Sequence, residues 1–134
     1  MKCKNRMIAI CCLTLFLNIQ GAYAASHSES EPNKNAIQQM AEIMLNLNHY
    51  PDASEKALLK SINENGAVSG HIRTLANTML NIKHYAATAD KERLQNIINN
   101  DSVPEEVRKL AAIIQNIAHM PSSADKKNLL RIME

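Results

Sequence analysis

Three copies of the pattern Asn-x-x-His stand in this chain, at Asn46/His49, Asn81/His84 and Asn116/His119. Neutral imidazole is the commonest nitrogen ligand for zinc, copper and iron, so three regularly spaced histidines raise the question of a metal or haem site. Metal–nitrogen bonds of about 2 Å require ligand atoms within a few ångströms of one another. Equivalent positions on stacked helices are instead separated by a packing distance of about 8–10 Å. Only a closed, pseudo-threefold arrangement would bring His49, His84 and His119 together, so no metal and no cofactor is expected, and the three histidines stand as the alternative ligand set.

Two other kinds of chemistry suit the same residues. Histidine in a last helical turn can bond free carbonyls and suits the negative end of the helix dipole, while an Asn amide can brace the turn that follows. Alternatively, Asn46, His49, Asn81, His84, Asn116 and His119 form a row on one surface that reads an extended partner one unit at a time.

The elements that position these residues form a repeat of 35 residues. Writing the chain in register from Ile37, Ile72 and Val107 aligns three segments, 37–71, 72–106 and 107–134, without gaps. Identical residues recur at Ala41/Ala76/Ala111, Lys56/Lys91/Lys126, Leu59/Leu94/Leu129 and Ile62/Ile97/Ile132 in addition to the Asn and His. Ile37, Met40, Ala41, Met44 and Leu47 follow the i, i+3, i+4, i+7 spacing of an amphipathic helix, and the recurrent alanine allows close approach of a neighbour.

This first helix of each unit should end near the histidine, because Pro51 and Pro121 disfavour helical geometry in the residue before them. Asp52 with Glu55 and Ser122 with Asp125 then approximate capping boxes that start a second helix, for which Thr88 is the expected cap in the middle unit. Ser102 with Glu105 is a further expected capping box. Asn65-Gly66 is expected to close a helix with left-handed geometry. Each second helix is expected to pair with the first helix of its own unit across a tight turn. The fold class is therefore all-α: three tandem helical hairpins, six helices, in a short solenoid-like or compact array spanning 36–134.

The period is similar to that of tetratricopeptide repeats. The chain has no Trp, however, and no Gly recurs in the first helix, so that family's peptide-binding residues are not carried over.

Upstream of the repeat, Lys2, Lys4 and Arg6 precede an apolar run from Met7 to Ile19 and the small residues Ala22 and Ala24. This order is that of a secretory signal peptide, residues 1–24, with cleavage near Ala24 and a periplasmic or secreted destination. Residues 25–35, rich in Ser, Glu and Asn, are expected to be a flexible leader. Cys3, Cys11 and Cys12 all fall in the signal, so the exported part has neither disulfides nor a thiolate metal site. Its charge is close to neutral, which gives no footprint for nucleic acid.

No Gly-rich phosphate loop and no His-Glu-x-x-His motif is present, and an enzyme is not expected. The leading expectation is a non-catalytic exported helical-repeat protein that binds a protein or peptide in the envelope as an adaptor, an inhibitor or immunity-type partner, or a small chaperone. The alternative is a periplasmic metal- or haem-binding protein using the repeated histidines.

Overall fold

A computed structural model describes residues 30–134; the expected signal peptide and residues 25–29 of the expected leader lie outside the described residues. The described chain is all-helical, with α1 (Glu31–Asn46), α2 (Ala53–Glu64), α3 (Gly70–Leu80), α4 (Thr88–Ile98), α5 (Glu105–Asn116) and α6 (Ser123–Met133). Helix α1 begins at Glu31, so residues 31–35, placed in the leader by composition, are helical. Pro32 occupies the first turn, where its missing N–H costs nothing, and Glu31 suits the positive end of the dipole. Asn33 further ties this turn down, its Oδ1 accepting from the Ser69 amide at 2.9 Å.

The three first helices of the units, α1, α3 and α5, pack against one another around a common axis. Their apolar stripes form the centre: Met40, Ala41, Met44, Leu75, Ala76, Met79, Leu110, Ala111 and Ile114 are all fully buried. Burial of a Leu, Ile or Met side chain is worth about 1.5–3 kcal/mol, so this axis carries much of the folding energy. The fully buried alanines permit the close approach of three helices that a larger side chain would prevent.

The outer helices depart from the expected pairing. Each packs most extensively on the first helix of the next unit, α2 on α3 and α4 on α5, and only lightly on that of its own unit. Helix α6 packs in the same way on α1, closing the ring, and the Gln38 side-chain amide donates to the Met133 carbonyl at 3.0 Å across the closure. The array is therefore compact and closed, with a pseudo-threefold axis. The cause lies in the connections. The links after α2 and α4 are short turns in which Asn65 and Asn100 fold the chain back: their Oδ1 atoms accept from the amides of Ala67 and Ser102. This local side-chain bond makes an Asx-type turn. The non-helical segment around each histidine leaves its two helices only lightly in contact.

Two of the expected caps form and three features differ. Asp52 and Ser122 accept from the amides of Glu55 and Asp125, and both reciprocal capping-box bonds are present. In the middle unit the helix begins one residue earlier than expected: Ala87 is the N-cap and Thr88 lies inside α4. Pro104 is the N-cap of α5, which leaves Glu105 in its first residue and Ser102 bonded to Asn100 instead. Neither described glycine has a positive φ, and Asn65 caps α2 in an extended conformation, so the Asn65-Gly66 turn needs no left-handed residue.

Candidate metal centre

The left-handed backbone falls at the histidines. His49, His84 and His119 have φ of 73°, 72° and 67°, and they are the non-glycine residues with positive φ among those described. Around His49 and His119 the flanking residues bond directly, Tyr50 N–H to the Asn48 carbonyl at 3.0 Å and Met120 N–H to the Ala118 carbonyl at 2.8 Å. That is a γ-turn of the rare positive-φ kind. Such conformations cost of order 1–3 kcal/mol each and persist where the surroundings over-determine them.

The surroundings here are a cyclic set of backbone bonds. The His84 amide donates to the His49 carbonyl at 2.9 Å, His119 to His84 at 2.8 Å, and His49 to His119 at 2.8 Å. Each corner thus satisfies its neighbour's peptide group. The chain on either side is anchored in the core, because Leu47, Ile82 and Ile117 are buried two residues before the histidines and Pro51, Ala86 and Pro121 two residues after. A corner pinned on both sides and bonded to both neighbours has little freedom to relax.

This ring turns the three imidazoles toward the axis. Their ring centroids lie 4.9–5.0 Å apart in every pair. One nitrogen from each lies within 4.8 Å of the others, and among the described residues they form the one such group of three or more His, Cys, Asp or Glu ligands. Nδ1 of His119 lies 3.1 Å from Nδ1 of His84 and 3.3 Å from Nδ1 of His49. Metal–nitrogen bonds of about 2.0–2.1 Å at tetrahedral angles set ligand nitrogens about 3.3 Å apart. The spacing expected of stacked repeats is thus replaced by that of a coordination sphere, because the array closes.

A neutral imidazole has one N–H and one lone pair, and these Nδ1 atoms face one another. At these distances facing lone pairs need either a proton between them, its donor set by the tautomers, or one cation held by all three. The outer nitrogen of His119 has its own partner, the Tyr85 hydroxyl at 3.1 Å from Nε2. When Nε2 carries the ring proton and donates it to the phenol oxygen, Nδ1 keeps its lone pair for a metal, which is how outer partners fix the tautomer of a metal-binding histidine.

The asparagines of the motif do not join the histidines. Asn46, Asn81 and Asn116 are exposed, and each side-chain amide donates to the carbonyl four residues earlier, of Glu42, Asn77 and Ala112, at 2.9–3.2 Å. They brace the last turn of α1, the C-cap of α3 and the last turn of α5. The residues that sequence reasoning passed over are Tyr50, Tyr85 and Met120, which follow the histidines at equivalent positions. They are 58%, 53% and 52% exposed and stand at the end of the molecule where the histidines lie. Their signal was available: the two tyrosines are the only aromatic residues of the repeat region besides histidine, and both adjoin the motif.

No family model, curated protein or solved structure matches this chain.

Proposed function

We propose that this is an exported metal-binding protein whose closed repeat array holds one divalent transition-metal ion, of the zinc or copper kind, on His49, His84 and His119. The observation that carries the reading is the convergence of three imidazole nitrogens at ligand spacing on a strained backbone ring. Imidazole donors suit borderline-soft ions, whereas calcium and magnesium seek oxygen. Haem is disfavoured within this reading, because a porphyrin iron offers two axial positions on opposite faces and these nitrogens converge on one point. Export is supported by the signal-like order of residues 1–24.

The test uses protein purified without a histidine tag, stripped with chelator and titrated with zinc. One zinc per chain is expected, together with a rise in melting temperature. Stabilisation grows with the free-ion concentration and reaches about 2.7 kcal/mol at a hundred times the dissociation constant. Absence of stoichiometric zinc and copper binding overturns the proposal.

A second reading, interaction with a protein or peptide in the envelope, is favoured by the exposed Tyr50, Tyr85 and Met120 around the same axis. Aromatic residues and Met are enriched in interface cores. Retention of a defined partner from an envelope extract, lost on changing Tyr50 and Met120 to Ser without a fall in melting temperature, supports it. Unchanged retention removes that surface from consideration.

A further inference from the structure

We propose that an ion on the histidine tripod keeps a coordination position open along the axis, facing solvent, and that this position takes a small anionic oxygen or nitrogen donor. The inference rests on the metal-binding reading above and specifies what the bound ion does.

The symmetry of the site requires it. Three ligands related by a pseudo-threefold axis occupy equivalent positions around an ion, and an ion of this class takes at least four ligands. The fourth position of such a sphere lies on the axis itself. On the inner side the axis passes through the cyclic backbone bonds of the histidines and then the buried Leu47, Ile82 and Ile117. The histidine N–H groups and carbonyls there are engaged with one another. On the outer side stand the exposed Tyr50, Tyr85 and Met120. The free position therefore points outward between these side chains.

Zinc sites with four protein ligands are structural, whereas three protein ligands leave a place for water or substrate. The charge of the donor set decides the ligand class. Three neutral imidazoles leave the full double charge of the ion uncompensated, and no Asp or Glu among the described residues belongs to the group. A bound water is then acidified, and an anion is preferred over a neutral donor. The Tyr85 hydroxyl, 3.1 Å from Nε2 of His119, stands beside this position.

Cobalt(II) provides the readout, because its visible absorption reports coordination number and ligand exchange. Cobalt-loaded exported chain is titrated with sodium azide, with sodium chloride at equal ionic strength as the control. The expected result is a saturable change at one azide per cobalt, with an isosbestic point, half-complete in the millimolar range and absent with chloride at the same concentrations. Cobalt bound one per chain with a spectrum that azide leaves unchanged overturns the open position while leaving metal binding intact. Failure of cobalt, zinc and copper alike to bind overturns the metal-binding reading, and this inference with it.

Discussion

The hydroxyl of Tyr85 lies 3.1 Å from Nε2 of His119, so a residue of the second repeat orients the imidazole of the third. The rings approach at 5.2 Å between centroids, tilted by 68°, which adds an edge-to-face contact to the hydrogen bond. Outer partners of metal-binding histidines characteristically contribute 10–100-fold to affinity. Tyr85→Phe keeps the ring and removes the bond. It is expected to weaken zinc binding by about tenfold in a competition titration while leaving the metal-free melting temperature within a degree or two of the parent, because the side chain is more than half exposed. An unchanged zinc affinity would remove Tyr85 from the site.

The histidines combine two roles that substitution can separate. Their side chains face the axis, and their backbones sit at φ near +70°, where glycine is unstrained and alanine is not. His84→Gly and His84→Ala both delete a ligand and should abolish tight zinc binding. Their metal-free stabilities should differ, with the glycine variant the more stable by about 1 kcal/mol, since a Cβ in left-handed backbone carries that cost. Thermal melts of the two stripped variants, side by side, read the difference. Equal melting temperatures would mean that the corner relaxes out of its left-handed conformation once the imidazole is gone.

Much of the fold is legible in the sequence because it is local. The i, i+3, i+4, i+7 pattern at Ile37, Met40, Ala41 and Met44 names residues that are buried, and its copies in the other units do the same. The capping boxes at Asp52 and Ser122 are equally local and form as read. What the sequence hides is the angle between successive hairpins. An open stack and a closed ring bury the same stripes, and the choice rests on contacts between α1 and α6, such as Gln38 with Met133, that join opposite ends of the chain. The candidate site was hidden for the same reason. His49, His84 and His119 are identifiable as residues, yet their convergence depends wholly on closure. The positive φ of a histidine also leaves no mark in composition, and the bonds that enforce it come from other repeats.

Repetition makes one core position stand out. Ile43 and Ile113 are buried at equivalent places in α1 and α5, while α3 carries Thr78 there, 1% exposed, with its hydroxyl buried and without a hydrogen-bond partner. An unsatisfied buried hydroxyl costs about 1–3 kcal/mol. Thr78→Val preserves shape and removes the polar atom. It is expected to raise stability by about 1 kcal/mol, or about 4–8 °C in melting temperature for a domain of this size, with zinc affinity unchanged. A fall in stability would show that the hydroxyl is satisfied in solution, for instance by a bound water.

The two capping boxes differ in a way that pH can read. Asp52 and Ser122 do the same work at the starts of α2 and α6, but only the first titrates at its cap. The Glu55 amide, and after it the Ser54 hydroxyl, bond the Asp52 carboxylate and hold its pKa below the ordinary value of 3.8. A carboxyl whose pKa is lower in the folded than in the unfolded chain contributes stability above its unfolded value. That contribution is lost as the pH falls through the folded value. Asparagine caps about as well as aspartate and carries no charge. Asp52→Asn is therefore expected to change stability little at pH 7 and to flatten the loss of stability below about pH 4, in chelator-treated protein so that proton competition at the histidines does not contribute. Denaturant melts of both proteins across pH 2.5–7 measure the two slopes. Parallel curves would mean that the Asp52 cap does not respond to acid, and the acid sensitivity would then belong to other carboxylates, beginning with Glu105, which Lys109 likewise holds below its ordinary value.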